Sequence, residues 1–181
     1  MSKPERLARR TVYTSNWVNL HLDRVRFPAG RIVEEHHVLD FPFEAVGVLV
    51  ENDRDELLFV RAYRYVTDAV EWEIPAGRIE EGESAAAAAR REVVEESGCL
   101  TEGHEEIYSY YPMNGIANQI FHIVRCRAAS GTGEFDRNEV AEVRWLPRRE
   151  VRRMIAEGEI RDGFSLSGLL LYLLSPDPCA E

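Results

Sequence analysis

The chain has 181 residues, of which 45% are hydrophobic and 30% are charged, and its formal net charge is -10. This length suits one domain with a sizeable core, or one domain with a small appendage. The acidic balance argues against a broad grip on nucleic acid, which needs a basic surface. The longest apolar stretches, AVGVLV and LLLYLL, are far shorter than the roughly 20 residues of a membrane helix. We therefore expect neither nucleic acid nor a membrane as a partner.

The cysteines and the N-terminus bear on the compartment. Cys99, Cys126 and Cys179 lack CxxC spacing and cannot all pair with one another, which fits a reducing environment better than a disulfide framework. The first ten residues, MSKPERLARR, contain no apolar segment of the kind found in signal peptides. We expect a soluble cytoplasmic protein.

The first forty residues are expected to form short strands. WVNLHLDRVRF alternates apolar and polar residues, PAG makes a turn, and RIVEEHHVLDF resumes extended structure, which indicates a β-hairpin from Trp17 to Asp40. EAVGVLVEN and RDELLFVRAYRY predict a second hairpin that turns near Asn52 and Asp53. AVEWEIPAG predicts a short strand that ends at Pro75.

The strongest helix pattern follows these strands. Ser84 is a good N-cap, residues 85–89 are all alanine, and Gly98 is a natural stop. EIYSYYPM, NQIFHIVRCRA and AEVRWLP are typical of strands, and RREVRRMIAEGE, stopped by Gly158, and SLSGLLLYLLS predict two closing helices. Strands around one central helix indicate a mixed α/β fold with helices packed on a sheet.

Three glutamates share one face of the central helix. Glu92 lies three residues before Glu95 and four before Glu96, so the side chains project together. Like charges at this spacing repel by ~0.2–0.5 kcal/mol per pair on an exposed helix. Hard oxygen ligands favour Mg²⁺ as the compensating cofactor, with Mn²⁺ chemically close. Taken alone, the three glutamates fit an ordinary solvated face better than a metal site.

The residues around these glutamates extend the pattern. Gly77, Glu83, Arg91, the three glutamates and Gly98 fit the spacing G-x5-E-x7-R-E-U-x-E-E-x-G-U, in which U is a bulky apolar residue. In this stretch the chain resembles the Nudix hydrolases. The last U position departs from the family pattern because it is Cys99, which behaves as a small hydrophobe when buried.

The resemblance implies a fold and a set of roles. The fold would be a Nudix-type α/β/α sandwich with a mixed β-sheet, residues 43–181, preceded by a small N-terminal β-hairpin element, residues 1–42. The metal ligands would be the backbone carbonyl of Ala76 with Glu92, Glu95 and Glu96, of which Glu92 and Glu96 would also count as catalytic. The stretch from Gly77 to Cys99 would be the conserved motif of the family, the Nudix box. Its structural positions would be Gly77, Glu83, Arg91 and Gly98, with Glu83 and Arg91 forming an ion pair.

Stretches outside the box resemble the ADP-ribose and ADP-sugar pyrophosphatase branch of the family. EIPAG precedes the box, RAYRY is similar to an R-x-Y-R strand, Pro112 stands near a proline of the branch, and GEIRDGFSLSGLLL is similar to its C-terminal helix. The resemblance implies hydrolysis of ADP-ribose to AMP and ribose 5-phosphate. Asn118 and Gln119 are neutral where the branch often has acids, so another nucleoside diphosphate sugar, such as a GDP-sugar, stays open.

A non-catalytic Nudix-like nucleotide sensor is a further alternative, which the intact acids of the box disfavour. By the resemblance, Arg61, Arg64 and Glu73 would contact the nucleotide or the terminal ribose. Trp17 could stack on the base, although tryptophan usually buries most of its area, which favours packing within the hairpin.

The resemblance leaves the general base and the oligomeric state to be assigned. The base is expected in the loop after the box, where Glu139 is the first choice and Glu142 and Glu134 are alternatives. Members of the branch are commonly homodimers whose N-terminal strands complete the partner's site, and the predicted hairpin is consistent with that arrangement.

Overall fold

The structure is a computed structural model that describes residues 2–133 and 140–174. The chain divides into two compact units. One unit comprises Met1–Glu44 with Tyr111–Ile120, and the other comprises Ala45–Tyr110 with Phe121–Glu181. Within the part of the chain that the structure describes, no helix is both long enough and apolar enough to cross a bilayer.

The smaller unit is built on a three-stranded antiparallel sheet. Its strands are β1 (Glu5–Tyr13), β2 (Asn19–Arg26) and β3 (Ile32–Asp40), in the order β1-β2-β3. Strands β2 and β3 form the predicted hairpin, with a turn in which the Gly30 N–H donates to the Phe27 carbonyl at 2.8 Å. Strand β1 was not predicted separately because ERLARRTVY shows no buried face, and only Leu7 in it is partly buried.

The loop of residues 111–120 is attached to the end of β3 by Asn118. The Asn118 amide nitrogen donates to Asp40 Oδ1 at 2.7 Å, and the amide oxygen accepts the Phe41 N–H at 2.7 Å. A carboxylate could accept but could not donate. The neutral residue at this position therefore has a structural role within the smaller unit.

The larger unit contains a seven-stranded mixed sheet. Its strands are β4 (Ala45–Glu51), β5 (Glu56–Arg64), β6 (Ala69–Glu73), β7 (Ala76–Arg78), β8 (Cys99–Tyr110), β9 (Phe121–Thr132) and β10 (Val140–Pro147). The order is β10-β5-β4-β9-β8, with β6 paired to β5 and β7 to β4. Strands β4 and β9 run parallel, whereas the other pairs are antiparallel.

Helices cover both faces of this sheet. They are α1 (Ala85–Ser97), α2 (Arg148–Ala156) and α3 (Gly163–Leu174). Helix α1 buries Ala88, Ala89 and Val93 on the face that carries Val46, Val48 and Val50. Helices α2 and α3 bury Val151, Met154, Phe164 and Leu169 on the face that carries Leu49, Leu57 and Phe59. This arrangement confirms the predicted α/β/α sandwich. Every residue of the central strand β4 is buried, as expected for a strand covered on both faces.

Helix α1 begins and ends where the sequence predicts. The Ser84 hydroxyl accepts the Ala87 N–H at 3.2 Å, and Gly98 has a φ of 68° with its N–H bonded to the Val94 carbonyl. A Cβ on Gly98 would lie 2.2 Å from the Gly133 carbonyl oxygen. Strand β8 begins at Cys99, several residues before the strand that EIYSYYPM predicts.

Candidate active site

The segment from Glu73 to Gly77, which links β6 to β7, is held in place from several sides. Glu73 is 3% exposed and accepts two hydrogen bonds from Arg64 Nε at 2.9 and 3.0 Å, besides one from Arg64 Nη2. The Ile74 N–H donates to the hydroxyl of the fully buried Ser165 at 3.0 Å. The Pro75 carbonyl accepts the Val48 N–H at 2.8 Å. Fixed neighbours of this kind set the direction of each peptide group in the segment.

Two glutamates of α1 lie against the same segment. Glu96 Oε2 accepts the Ala76 N–H at 3.0 Å. The Glu92 carboxyl group sits on Gly77, where an added Cβ would be 2.0 Å from Glu92 Cδ. Because only glycine lacks that atom, the backbone and the carboxyl group can come this close only with glycine at position 77.

Arg91 joins the box loop to the helix. Its Nε and Nη2 donate to Glu83 at 3.2 and 2.9 Å, and Nη2 also donates to the Arg78 carbonyl at 2.8 Å. Its Nη1 donates to Glu92 at 2.7 Å and to Glu95 at 3.1 Å. The planar guanidinium can form all these bonds at once because it offers five donors in fixed directions.

The acidic cluster carries an electrostatic cost. Burial raises the pKa of Glu96 to about 8, and the nearby Glu92 charge adds to the rise, while the bond from Ala76 opposes it. Burial also raises the pKa of Glu92 above its ordinary value, against the attraction of Arg91. Buried carboxylates with raised pKa values are those that a nearby cation would stabilise in the ionised form.

The donor atoms around Gly77 fit a hard divalent ion. Glu92, Glu95 and Glu96 supply carboxylate oxygens from one face of α1. Glu96 is bonded to the Ala76 N–H and Glu92 lies on Gly77, whereas Glu95 is bonded to Arg91. In their present orientation the carboxylates are directed at Arg91 and the Ala76 N–H. Among residues 2–133 and 140–174, no group of three or more acidic, histidine or cysteine side chains converges in a way that could hold a metal ion.

A pocket of about 430 Å³ opens beside this segment within the larger unit. Its lining consists of Arg64, Val66, Thr67, Glu71, Glu73, Ala76, Arg161, Asp162, Gly163 and Phe164. Arg64 and Glu73, both expected from the sequence, thus share one cavity with Ala76. A ligand in this cavity meets polar groups from β5, β6 and the start of α3.

Arg61 lies elsewhere. It is three positions before Arg64 on β5, and side chains alternate along a strand, so the two start on opposite faces of the sheet. Arg61 Nη1 lies 3.5 Å from Glu142, and its guanidinium lies 5.7 Å from the centre of the Trp72 ring. The sequence motif RAYRY therefore places its two arginines in different surroundings.

The other predicted residues have separate positions. Trp17 is 66% exposed and contacts Phe43 edge-on at 5.9 Å between ring centroids, within the smaller unit. Glu142 on β10 accepts from Arg144 Nε at 2.6 Å besides its contact with Arg61. Glu134 and Glu139 lie outside the described residues.

The start of α3 contributes pocket residues that sequence reasoning missed. Asp162 caps the helix by accepting the Phe164 N–H at 3.2 Å and the Ser165 N–H at 2.7 Å. The available signal was the stretch RDGFS, in which an aspartate precedes a helical pattern, as N-caps do. Its proximity to Ala76 depends on tertiary packing and has no local signal.

Two family models together match most of the chain. Residues 42–164 match the model of the NUDIX domain, and residues 5–39 match that of the nucleoside diphosphate sugar hydrolase N-terminal domain. The chain is 30% identical over 165 residues to the CMP-5'-(N-acetyl-N-hydroxy-3-aminopropyl)phosphonate hydrolase of Streptomyces rubellomurinus, covering 91% of this chain and 79% of that protein. It is 26% identical over 159 residues to the ADP-ribose pyrophosphatase of Bacillus subtilis, covering 86% and 85% respectively.

A solved structure described as an ADP compounds hydrolase shares the fold. The TM-score is 0.80 at 22% sequence identity, and the match covers 95% of this chain and 93% of that one. The likeness extends over nearly the whole length of both chains.

Proposed function

The chain belongs to the Nudix hydrolase family, and from that premise we propose that it hydrolyses the diphosphate bond of ADP-ribose to give AMP and ribose 5-phosphate. The observation that carries the proposal is the position of Glu92 and Glu96. Both lie against the Ala76–Gly77 backbone, beside a pocket that contains Arg64 and Glu73. Relatives over most of the chain are named for the same reaction.

Nudix hydrolases generally need a divalent metal ion, and we propose Mg²⁺, with Mn²⁺ as a substitute. The residues that would hold it are the Ala76 carbonyl, Glu92, Glu95 and Glu96. A bound ion would neutralise charge on the diphosphate and activate the attacking water. The protein itself supplies the fixed backbone at Ala76, the close approach of Glu92 that Gly77 permits, and the Arg91–Glu83 ion pair that links the loop to α1.

Two of the proposed substrate-binding residues, Arg64 and Glu73, line the pocket. Glu73 is buried and holds Arg64 in a fixed direction, so that pair can present one set of donors and acceptors to a ribose or a nucleotide. We assign substrate contacts to Arg61 and Trp17 as well, on the family resemblance. We propose Glu139 as the general base.

We also propose that the protein assembles as a homodimer. Residues 1–42 would form the dimerisation element of a cytoplasmic homodimer, and residues 43–181 would form the hydrolase domain. The match of residues 5–39 to an N-terminal domain model of nucleoside diphosphate sugar hydrolases supports a separate role for this region.

A second candidate substrate is another nucleotide-linked compound. The relative from Streptomyces rubellomurinus is named for a CMP-linked phosphonate and is 30% identical to this chain. A GDP-sugar is the corresponding choice among nucleoside diphosphate sugars.

The experiment is a hydrolysis panel of ADP-ribose, a GDP-sugar and a CMP-linked phosphonate with Mg²⁺, with the products identified by chromatography. We expect ADP-ribose to give the highest kcat/KM, with AMP and ribose 5-phosphate as products. Glu139→Gln should lose most of this activity, since a general base contributes roughly 10²–10⁴-fold. A higher kcat/KM for one of the other compounds would replace ADP-ribose by the second candidate.

A further inference from the structure

The charged residues of the pocket differ in whether they form hydrogen bonds or ion pairs within the protein. Arg64 is bonded to Glu73, and Asp162 accepts two N–H groups of α3. Glu71 and Arg161 have no hydrogen-bond or ion-pair partner within residues 2–133 and 140–174. Among the described pocket residues, Arg161 is thus the one cation whose donors are unused.

The backbone that carries Arg161 is fixed on both sides. Ile160 is 4% exposed and packs in the core with α2 and α3. Asp162 is tied to the first turn of α3. The Arg161 side chain is exposed, so its guanidinium can bind a ligand without breaking a contact to another described residue, and with the backbone already fixed only the side chain has to be ordered.

The chemistry of the substrate indicates what Arg161 would bind. Adenosine and ribose are uncharged, so the diphosphate is the only anionic part of ADP-ribose. Arginine binds phosphate oxygens through two parallel donors. Ala76, whose carbonyl lies at the proposed metal site, lines the same pocket as Arg161, so a diphosphate held there comes within the same cavity.

We propose that Arg161 is a substrate-binding residue that recognises the diphosphate group of the nucleotide substrate. This inference rests on the proposed function, because it takes the pocket as the substrate site. Arg161 adds binding energy in both the ground state and the transition state, so its loss should change KM far more than kcat.

The first test compares the kinetics of Arg161→Met with the wild type on ADP-ribose. We expect KM to rise about tenfold, which is the effect of losing one hydrogen bond to a charged group. The value of kcat should stay within twofold of the wild type. Arg161→Lys should recover part of the loss because it keeps the charge. Arg152→Met, which removes an exposed arginine of α2 outside the pocket, is the matched control and should leave KM unchanged.

The second test measures the binding of ADP and of adenosine to both proteins by titration calorimetry with Mg²⁺ present. The proposal predicts weaker binding of ADP to Arg161→Met and equal binding of adenosine. Equal ADP affinities, an equal loss for adenosine, or an equal rise of KM in Arg152→Met would each overturn it. If the wild type cleaves no nucleoside diphosphate sugar, the proposed function alone fails, and the two titrations still decide the role of Arg161.

Discussion

The Glu92 carboxyl group lies so close to Gly77 that a Cβ at position 77 would be 2.0 Å from its carbon and 2.0 Å from Oε1. Atoms at that distance overlap, so alanine there must displace either the β7 backbone or Glu92. Both carry proposed metal ligands. The contact couples the backbone turn to the placement of a carboxylate that we propose as a metal ligand.

Gly77→Ala should therefore lower kcat/KM by at least about tenfold, because small displacements at a metal site are costly. Gly115→Ala is the control, since a Cβ there meets no atom within 4 Å, and it should keep wild-type activity. Steady-state kinetics with circular dichroism as a check on folding measures both. Wild-type activity in Gly77→Ala would contradict the steric argument.

Arg91→Lys should lower the free energy of unfolding by roughly 1–3 kcal/mol, because lysine cannot replace five directed bonds. Thermal unfolding should show a fall in Tm of several degrees. Arg24→Lys tests the same change in a pair with Glu34 in which both side chains are largely exposed, and such pairs contribute little. An equal fall in Tm in the two variants would show that the hydrogen bonds of Arg91 stabilise the fold no more than those of an exposed ion pair.

The pKa of Glu96, raised to about 8 from an ordinary value of 4.5, makes stability depend on pH in the metal-free protein. Between those two values the folded protein retains a proton that the unfolded chain releases, so the free energy of unfolding falls as pH rises through this window. Glu96→Gln removes this titration and should flatten the decline. Thermal unfolding in EDTA at pH 5.5 and 8.5 measures it, and identical declines in both proteins would refute the assignment.

Asn118→Asp should destabilise the protein by about 1 kcal/mol, because it replaces a donor to Asp40 with a carboxylate. Asn114→Asp, in the same loop and exposed, should have little effect on Tm. We expect Asn118→Asp to leave the preference between ADP-ribose and a GDP-sugar unchanged. A shift in this preference would mean that the loop of residues 111–120 contributes to substrate recognition.

Local signals in the sequence predicted the central helix and its two ends. Ser84 and Gly98 act through neighbours within four residues, so their effect is visible in one stretch of sequence. The strand after the helix was harder to bound, since LTEGHE has mixed polarity and joins β8 through pairing with β9. Strand β1 lacks an apolar face and could not be recognised by alternation.

The residues of the candidate site also differ in whether a local sequence signal identifies them. The acids of α1 follow a fixed spacing, so the sequence alone identifies them as candidates. The separation of Arg61 from Arg64 follows from strand alternation and was overlooked because the motif was treated as one unit. The contributions of Asp162 and Ser165 depend on α3 packing beside Ile74, a contact between residues 91 positions apart, which no local pattern reveals.

The measurement that tests the central claim most directly is Mg²⁺-dependent hydrolysis of ADP-ribose by Glu92→Gln, with Glu81→Gln as control. Glu81 is an exposed glutamate of the box loop, so the two variants change charge equally. We predict that Glu92→Gln loses roughly 10³-fold in kcat/KM, corresponding to about 4 kcal/mol of transition-state stabilisation, while Glu81→Gln stays near wild type. Retention of activity within tenfold in Glu92→Gln would contradict a catalytic site built on Glu92 and Gly77.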